Sequence, residues 1–342
     1  MTSKTFASDN YSGVHPYIME ALVRANQHHA PSYGNDNYTA SAIRKFREHF
    51  GTDAEVYFVY NGTGANVLGL HALTRSYNAI LCSSFAHIQV DESTAPERIL
   101  GCKLVTIPAP DGKLTVEAIE EKIQRIGDPH HAQAKVISVS QCTEYGTVYT
   151  PDELHAIATL ARKHNLYLHM DGSRIANAAV SLDAPFRAFT TDVGVDVLSF
   201  GGTKNGMMFG EAVIILNPAV AADFPFIRKQ GMQLHSKGRF IGAQFDALLT
   251  DNLWRQNALH ANRMAKLLEA QLREIDGVTI TQPVQANGVF ARFPAEVIEP
   301  LQQEAYFYEW DEKAHEVRLM CSFDTTEQEI RSFASRLQAL LA

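Results

Sequence analysis

Between about residues 40 and 216, short apolar runs of strand length alternate with segments of helical pattern, and no other feature constrains the fold as strongly. The runs lie at 56–59, 79–82, 104–107, 136–139, 166–169, 197–200 and 212–216. Several are almost continuously apolar or β-branched, as expected for strands covered on both faces. Helical patterns separate them, for example 116–125 and 151–164. Pro151 followed by Asp152 and Glu153 is a good helix start, with proline in the first turn and acids near the positive helix end. The alternation predicts an α/β layer with a mainly parallel sheet.

After about residue 220 the pattern changes. Residues 246–275 read as one long, mostly helical stretch, followed by strand-like runs at 278–281, 288–292 and 317–321 and an amphipathic helix at 327–341. A smaller C-terminal α+β domain is therefore expected over 246–342, after a large domain with an N-terminal arm over 1–245. The 342 residues are enough for two domains and for a large core.

A formal net charge of −8, without a long basic run, argues against a protein that coats nucleic acid or docks on a membrane through a polybasic segment. Residues 1–13 lack the apolar stretch of a secretory signal, and no apolar run is long enough to cross a bilayer. Cys82, Cys102, Cys142 and Cys321 form no CxxC pair. Their scatter predicts reduced, mostly buried cysteines in a cytoplasmic protein, with no metal site.

Three local features carry chemistry. Asp171 sits where an apolar run gives way to Gly172-Ser173-Arg174. Ligands collect at the carboxyl ends of strands in open α/β sheets, although a carboxylate there is equally an ordinary helix N-cap. The next run ends in Gly201-Gly202-Thr203-Lys204-Asn205-Gly206. A lysine in such a pocket loses its proton more readily and attacks aldehydes; taken alone, it reads as a solvated loop lysine. The third feature, Asn61-Gly62-Thr63-Gly64-Ala65-Asn66, joins a strand to an apolar helix. Its free amides, the helix dipole and the Thr63 hydroxyl suit a phosphate, but it is neither a Walker A sequence nor a full dinucleotide fingerprint. Together the three supply what pyridoxal phosphate (PLP) needs: a phosphate anchor, a carboxylate for the pyridine nitrogen and an amine for the imine.

On these motifs the chain resembles the low-specificity L-threonine aldolases, PLP enzymes of the aspartate-aminotransferase fold (fold type I). The resemblance runs from Ser8-Asp9-Asn10 to the segment around Arg318, and the Lys204 motif looks like a bacterial branch that includes phenylserine aldolases. It implies cofactor contacts from Gly62, Thr63 and Asn66 at the phosphate, Asp171 at the ring nitrogen and Arg174 at the phenolic oxygen. Lys204 is the point of covalent attachment, and His87 stacks on the ring, although an ordinary half-buried histidine is the alternative. Arg318 matches the arginine that grips the substrate carboxylate, a task suited to a planar guanidinium. Ser8 helps it, and Tyr33 is a weaker match towards the substrate. The basic stretch from Arg228 through Lys237 and Arg239 resembles one that reaches a neighbouring subunit's phosphate. Arg239 is one candidate for the contact; the choice among these cations stays open, with plain surface charge an equal alternative for each.

One departure matters. Where many relatives carry a Glu-Asn-Thr-His-like segment, this chain reads Ser140-Gln141-Cys142-Thr143-Glu144-Tyr145-Gly146. The histidine placed near the substrate β-hydroxyl has no counterpart, and Glu144 stands roughly in its position. Glu144, His87 or a water remains as the β-hydroxyl base. The expected activity is retro-aldol cleavage of small β-hydroxy-α-amino acids (threonine, allo-threonine, phenylserine) to glycine and an aldehyde, by a homodimer or homotetramer. Alternatives on the same fold are a β-eliminating lyase, an aminotransferase, an amino-acid racemase or a non-catalytic binding protein.

Overall fold

The computed structural model describes residues 5–342. A seven-stranded sheet is built from β1 (Glu55–Val59), β2 (Asn78–Ser83), β3 (Lys103–Ile107), β4 (Gln133–Ser140), β5 (Tyr167–Gly172), β6 (Val197–Gly201) and β7 (Glu211–Ile215), in the order β1-β7-β6-β5-β4-β2-β3. Only β7 runs against its neighbours; the β2–β3, β2–β4, β4–β5 and β5–β6 pairs are parallel. All seven apolar runs are strands. β2, β6 and β7 are buried at every residue, which explains why they read as unbroken apolar segments rather than alternating ones.

Apolar clusters cover both faces of this sheet. The helix Gly62–Leu73 is buried nearly all round and lies against β6 and β7, so it lacks the polar face of a surface helix. The helix Pro151–Lys163 begins as read: Thr150 and Glu153 form a reciprocal capping box ahead of Pro151.

A second, antiparallel sheet has the order β10-β11-β9-β8, with β8 (Thr279–Ile280), β9 (Gly288–Arg292), β10 (Tyr308–Asp311) and β11 (Glu316–Met320). Its core includes Met264, Leu268 and Leu272 of the helix Leu253–Arg273, and Ile330, Phe333 and Leu337 of the helix Glu327–Leu341. Residues 1–245 and 246–342 meet inside the helix Arg239–Leu249. The helix after it serves both cores, since Leu253, Trp254 and Ala258 belong to the large one. Phe6 of the N-terminal arm is buried in the smaller core, where its amide donates to Tyr306 O at 2.9 Å and its carbonyl accepts from Met320 N at 2.7 Å. The arm is thereby drawn across the smaller sheet to the carboxyl edge of the large one.

Three expectations need correction. The helix expected over 116–125 stops at Glu120, and Arg125 has φ 53°. The single helical stretch over 246–275 is broken at Asp251 and Asn252, with φ 50° and 55°, the left-handed region that Asn and Asp tolerate best. β10 was not anticipated, because its half-buried sequence Tyr-Glu-Trp-Asp gives no clear alternation and a bulge shifts its register against β11.

All four cysteines are free and buried. Among the described residues no helix is long and apolar enough to cross a membrane. No group of three or more His, Cys, Asp or Glu is arranged there to hold a metal ion.

Candidate active site

Parallel register aligns Ser140, Asp171 and Ser199 in one row across β4, β5 and β6, so Asp171 reaches the carboxyl edge of the sheet. Its Oδ1 accepts from Ser173 N at 2.9 Å and Ser173 Oγ at 2.7 Å, and its Oδ2 accepts from Asn66 Nδ2 at 2.9 Å. It is not a helix cap: the next helix starts at Ile175, with Arg174 as a capping residue that makes no side-chain cap bond. Burial alone would raise the Asp171 pKa. The neighbouring His87, the Ser173 hydrogen bonds and Lys204 outweigh it and hold the carboxyl below its ordinary range.

Lys204 lies on a 3₁₀ turn, Thr203–Asn205, just past β6. The chain must pass close to β5 there: a Cβ at Gly201 would sit 2.1 Å from the carbonyl oxygen of Ser173, so only glycine fits. Glu211, at the start of β7, clasps the turn by accepting from Gly202 N at 2.5 Å, and burial pushes its own pKa up to about 7. Burial also depresses the Lys204 ammonium pKa, and Arg174 adds to the effect; Asp9, Asp171 and Glu211 oppose it without cancelling it. The net result is a more nucleophilic amine.

At the helix Gly62–Leu73, Asn61 Oδ1 caps Gly64 N at 2.7 Å, while the amides of Gly62 and Thr63 donate to no group among the described residues. A Cβ at Gly62 would lie 3.9 Å from Ser173 Oγ, which puts this open helix end beside the Asp171 turn. Gln233 closes over it: its Oε1 accepts from Tyr60 N at 2.9 Å, and a Cβ at Gly64 would meet its Cδ at 2.6 Å. Asn66 departs from the expectation of a phosphate contact. One turn into the helix, its Nδ2 is committed to Asp171 and, at 2.8 Å, to Glu92 Oε1.

The arm brings Ser8 and Asp9 to the same edge. Arg174 is held as a fork by the buried Asp9, Nε to Oδ2 and Nη2 to Oδ1 both at 2.8 Å, and Asn287 Nδ2 donates to Asp9 Oδ2 at 3.0 Å. Burial would raise the Asp9 pKa, but Arg174 outweighs it and the pKa falls below 3.8. The contribution of this pair to stability is therefore complete above that value and is lost as the pH falls through the depressed one. Asp9→Ala leaves Arg174 buried and unpaired, with an expected cost of about 3–5 kcal/mol in urea unfolding at pH 7. Asp9→Asn should flatten the acid side of the stability profile.

Arg318 Nη2 makes only a 3.3 Å bond to Ala7 O, and its buried Nε has no partner. The guanidinium lies 5.3 Å from the Tyr308 ring centre and 4.9 Å from that of Trp310. Burial lowers its pKa to about 10, so it calls for an anionic partner. A cavity of about 650 Å³ joins Ser8, His87, Arg174, Lys204 and Arg318, with an aromatic wall of Tyr11, Phe85, Tyr308 and Trp310.

Seven expected residues are not in its lining. Gly62, Thr63, Asn66 and Asp171 belong to the helix end and the strand edge described above, and the others are Glu144, Tyr33 and Arg239. Glu144 Oε1 accepts from the His87 amide at 2.9 Å and from Ser140 Oγ at 2.6 Å, and its Oε2 is buried without a partner. Tyr33 is exposed, 5.3 Å from Lys229 Nζ, and Arg239 donates to His28 O at 2.9 Å. Asp9, Glu92, Asn287 and the aromatic wall were missed; of these Asp9, next to Ser8, and Phe85, two residues before His87, lay in segments already singled out. An amine of lowered pKa, a buried ionised acid and an open helix end match the three requirements of PLP, and the free amides of Gly62 and Thr63 are donors that still need an acceptor.

A family model described as Beta-eliminating lyase matches residues 5–295. The chain is 42% identical over 341 residues to a low specificity L-threonine aldolase of a Pseudomonas species, covering 99% of both chains. It superimposes on a threonine aldolase of Leishmania major with TM-score 0.93 and 34% identity, over 99% of this chain and 100% of that one. An aspartate aminotransferase of Thermus thermophilus, at TM-score 0.71 and 18% identity over 99% and 90% of the two chains, shares the fold alone. The chain therefore belongs to the Beta-eliminating lyase family and, within it, to the low-specificity L-threonine aldolases.

Proposed function

We propose that this chain is a PLP-dependent aldehyde-lyase cleaving L-threonine, L-allo-threonine and L-phenylserine to glycine and an aldehyde. One observation carries the reading: a single cavity joins the lowered-pKa amine of Lys204 to Arg318, whose buried Nε has no acceptor. PLP would be held by Lys204, by Asp171 at its ring nitrogen, by the amides of Gly62 and Thr63 at its phosphate, and by His87 against the ring. Bound there, it supplies an electron sink for the pair released when the substrate Cα–Cβ bond breaks.

The chain's own side chains do the rest. Arg318 and Ser8 hold the substrate carboxylate, which fixes the bond at Cα that is aligned for cleavage. His87 lines the cavity and Glu144 does not, so the β-hydroxyl proton is assigned to His87 Nε2 and Glu144 to holding the His87 backbone. As the proton leaves, the Cα–Cβ bond breaks, the hydroxyl carbon becomes the aldehyde, and protonation at Cα gives glycine. The wall of Tyr11, Phe85, Tyr308 and Trp310 leaves room for an aryl substituent and supports phenylserine as a substrate.

Assembly into a homodimer or homotetramer would give Tyr33 and Arg239 a role at a neighbouring site. It is supported by Phe226, just before this basic segment, and Met232 within it, 74% and 84% exposed. Four free, buried cysteines suit the reducing cytoplasm.

Aldehyde release from L-threonine, L-allo-threonine and L-phenylserine, measured in parallel with PLP added, tests the reading. Each should yield glycine with its aldehyde; no glycine from any of them overturns it. Arg318→Leu should lower kcat/KM at least ~30-fold, mainly through KM, since truncating one partner of a buried charge pair costs about 2–5 kcal/mol.

A further inference from the structure

Glu92 has no part in the chemistry so far, yet its side chain is fully buried at the heart of the site. Its Oε1 accepts from His87 Nδ1 at 2.9 Å and from Asn66 Nδ2 at 2.8 Å, and the same Asn66 nitrogen donates to Asp171 Oδ2 at 2.9 Å. A continuous buried chain thus runs from the acid at the sheet edge, through an amide, to a second acid and the histidine ring.

The backbone is shaped to put Glu92 there. The short helix His87–Val90 is anchored where the His87 amide meets Glu144. The next turn closes with Ala95 N donating to Glu92 O at 2.8 Å. It passes through two consecutive left-handed non-glycine residues, Ser93 at φ 48° and Thr94 at φ 58°. Such conformations are disfavoured for L side chains and persist where the surroundings over-determine them, often beside functional groups.

We propose that Glu92 is a positioning residue for the aldol step: its carboxylate fixes the proton of His87 on Nδ1 and, through Asn66, ties the ring to Asp171, so that Nε2 faces the substrate β-hydroxyl as an acceptor. The inference rests on the aldolase reading above. A carboxylate behind the distal nitrogen selects the tautomer, restrains the ring and stabilises the imidazolium formed when the proton arrives.

The other charges around His87 do not replace this effect. The Glu92 hydrogen bond is the leading cause of its raised pKa; Asp171 on β5 adds to it, and burial and Lys204 oppose it. Asp91, Arg174 and Arg318 line the same cavity, and Glu144 touches only the His87 backbone. Removing the Glu92 charge therefore makes His87 a weaker base with a lower pKa. A base must be neutral to accept a proton, so the acid limb of the rate profile moves to lower pH while the plateau falls.

The test is the near-isosteric Glu92→Gln. In the PLP-loaded enzyme, kcat for L-threonine should drop about 10–100-fold with KM within about twofold, and the acid limb should move down by about one pH unit. In cofactor-free protein, ¹⁵N NMR of the His87 ring, assigned with His87→Asn, should show the titration midpoint falling by a similar amount. Wild-type His87 should carry its neutral-form proton on Nδ1, a measurement that needs no variant to fold. A wild-type proton on Nε2, or Glu92→Gln with unchanged midpoint and kcat, overturns the proposal. If wild type releases no aldehyde, the aldolase reading fails instead, and the ring measurements still decide whether Glu92 governs His87.

Discussion

Lys204→Ala is expected to reduce L-threonine cleavage by on the order of 10³-fold or more, because the variant loses the amine to which the cofactor attaches. Borohydride reduction of PLP-loaded wild type should label the peptide carrying Lys204, and the variant should give no label there. The fold should survive, since Lys204 lines the cavity and belongs to neither core. The Gly201 turn and the Glu211–Gly202 clasp also remain intact. Unchanged circular dichroism with lost labelling would separate this result from misfolding. A label on a different lysine in wild type would move the site elsewhere.

Asp171→Asn should be the second most damaging change, with kcat lower by about 10²–10³-fold, the scale seen when one electrostatic contact to developing charge is removed. Asparagine keeps an oxygen for Ser173 but turns its amide nitrogen towards Asn66 Nδ2, so the loss combines the missing charge with a missing hydrogen bond from Asn66. Asp171 stays ionised although burial opposes it, which means that Ser173, His87 and Lys204 are arranged to keep a negative charge in place. A second effect follows through His87, whose pKa is raised in part by Asp171. The acid limb of the rate profile should therefore move to lower pH in Asp171→Asn as well. An unchanged kcat would mean that no charge is needed beneath the site.

The large sheet was legible because its central strands are buried on both faces and so appear as uninterrupted apolar runs, and because Asp171 stands at the end of one of them and Lys204 on the turn after the next. The partnerships that tune those residues were not. Asp9 and Arg174 are 165 positions apart, and Asp9 and Asn287 are 278 apart, so no local pattern could reveal that the arm threads into the site. Asn66 shows a subtler limit. Its neighbours mark a helix end suited to phosphate, but the side chain sits one turn further in and reaches Asp171 and Glu92 instead. Glu144 stands roughly where the resemblance led one to expect a histidine, yet its carboxylate holds the backbone of His87. The broken helix at Asp251 and Asn252 had a local cue, two residues that favour turns, which the surrounding apolar periodicity masked.

The most direct test of the whole account is product analysis of L-threonine turnover by the PLP-loaded protein. Retro-aldol cleavage at the Lys204 site predicts glycine and acetaldehyde in equal amounts, without ammonia. Ammonia and 2-oxobutanoate in their place would show β-elimination and contradict the account.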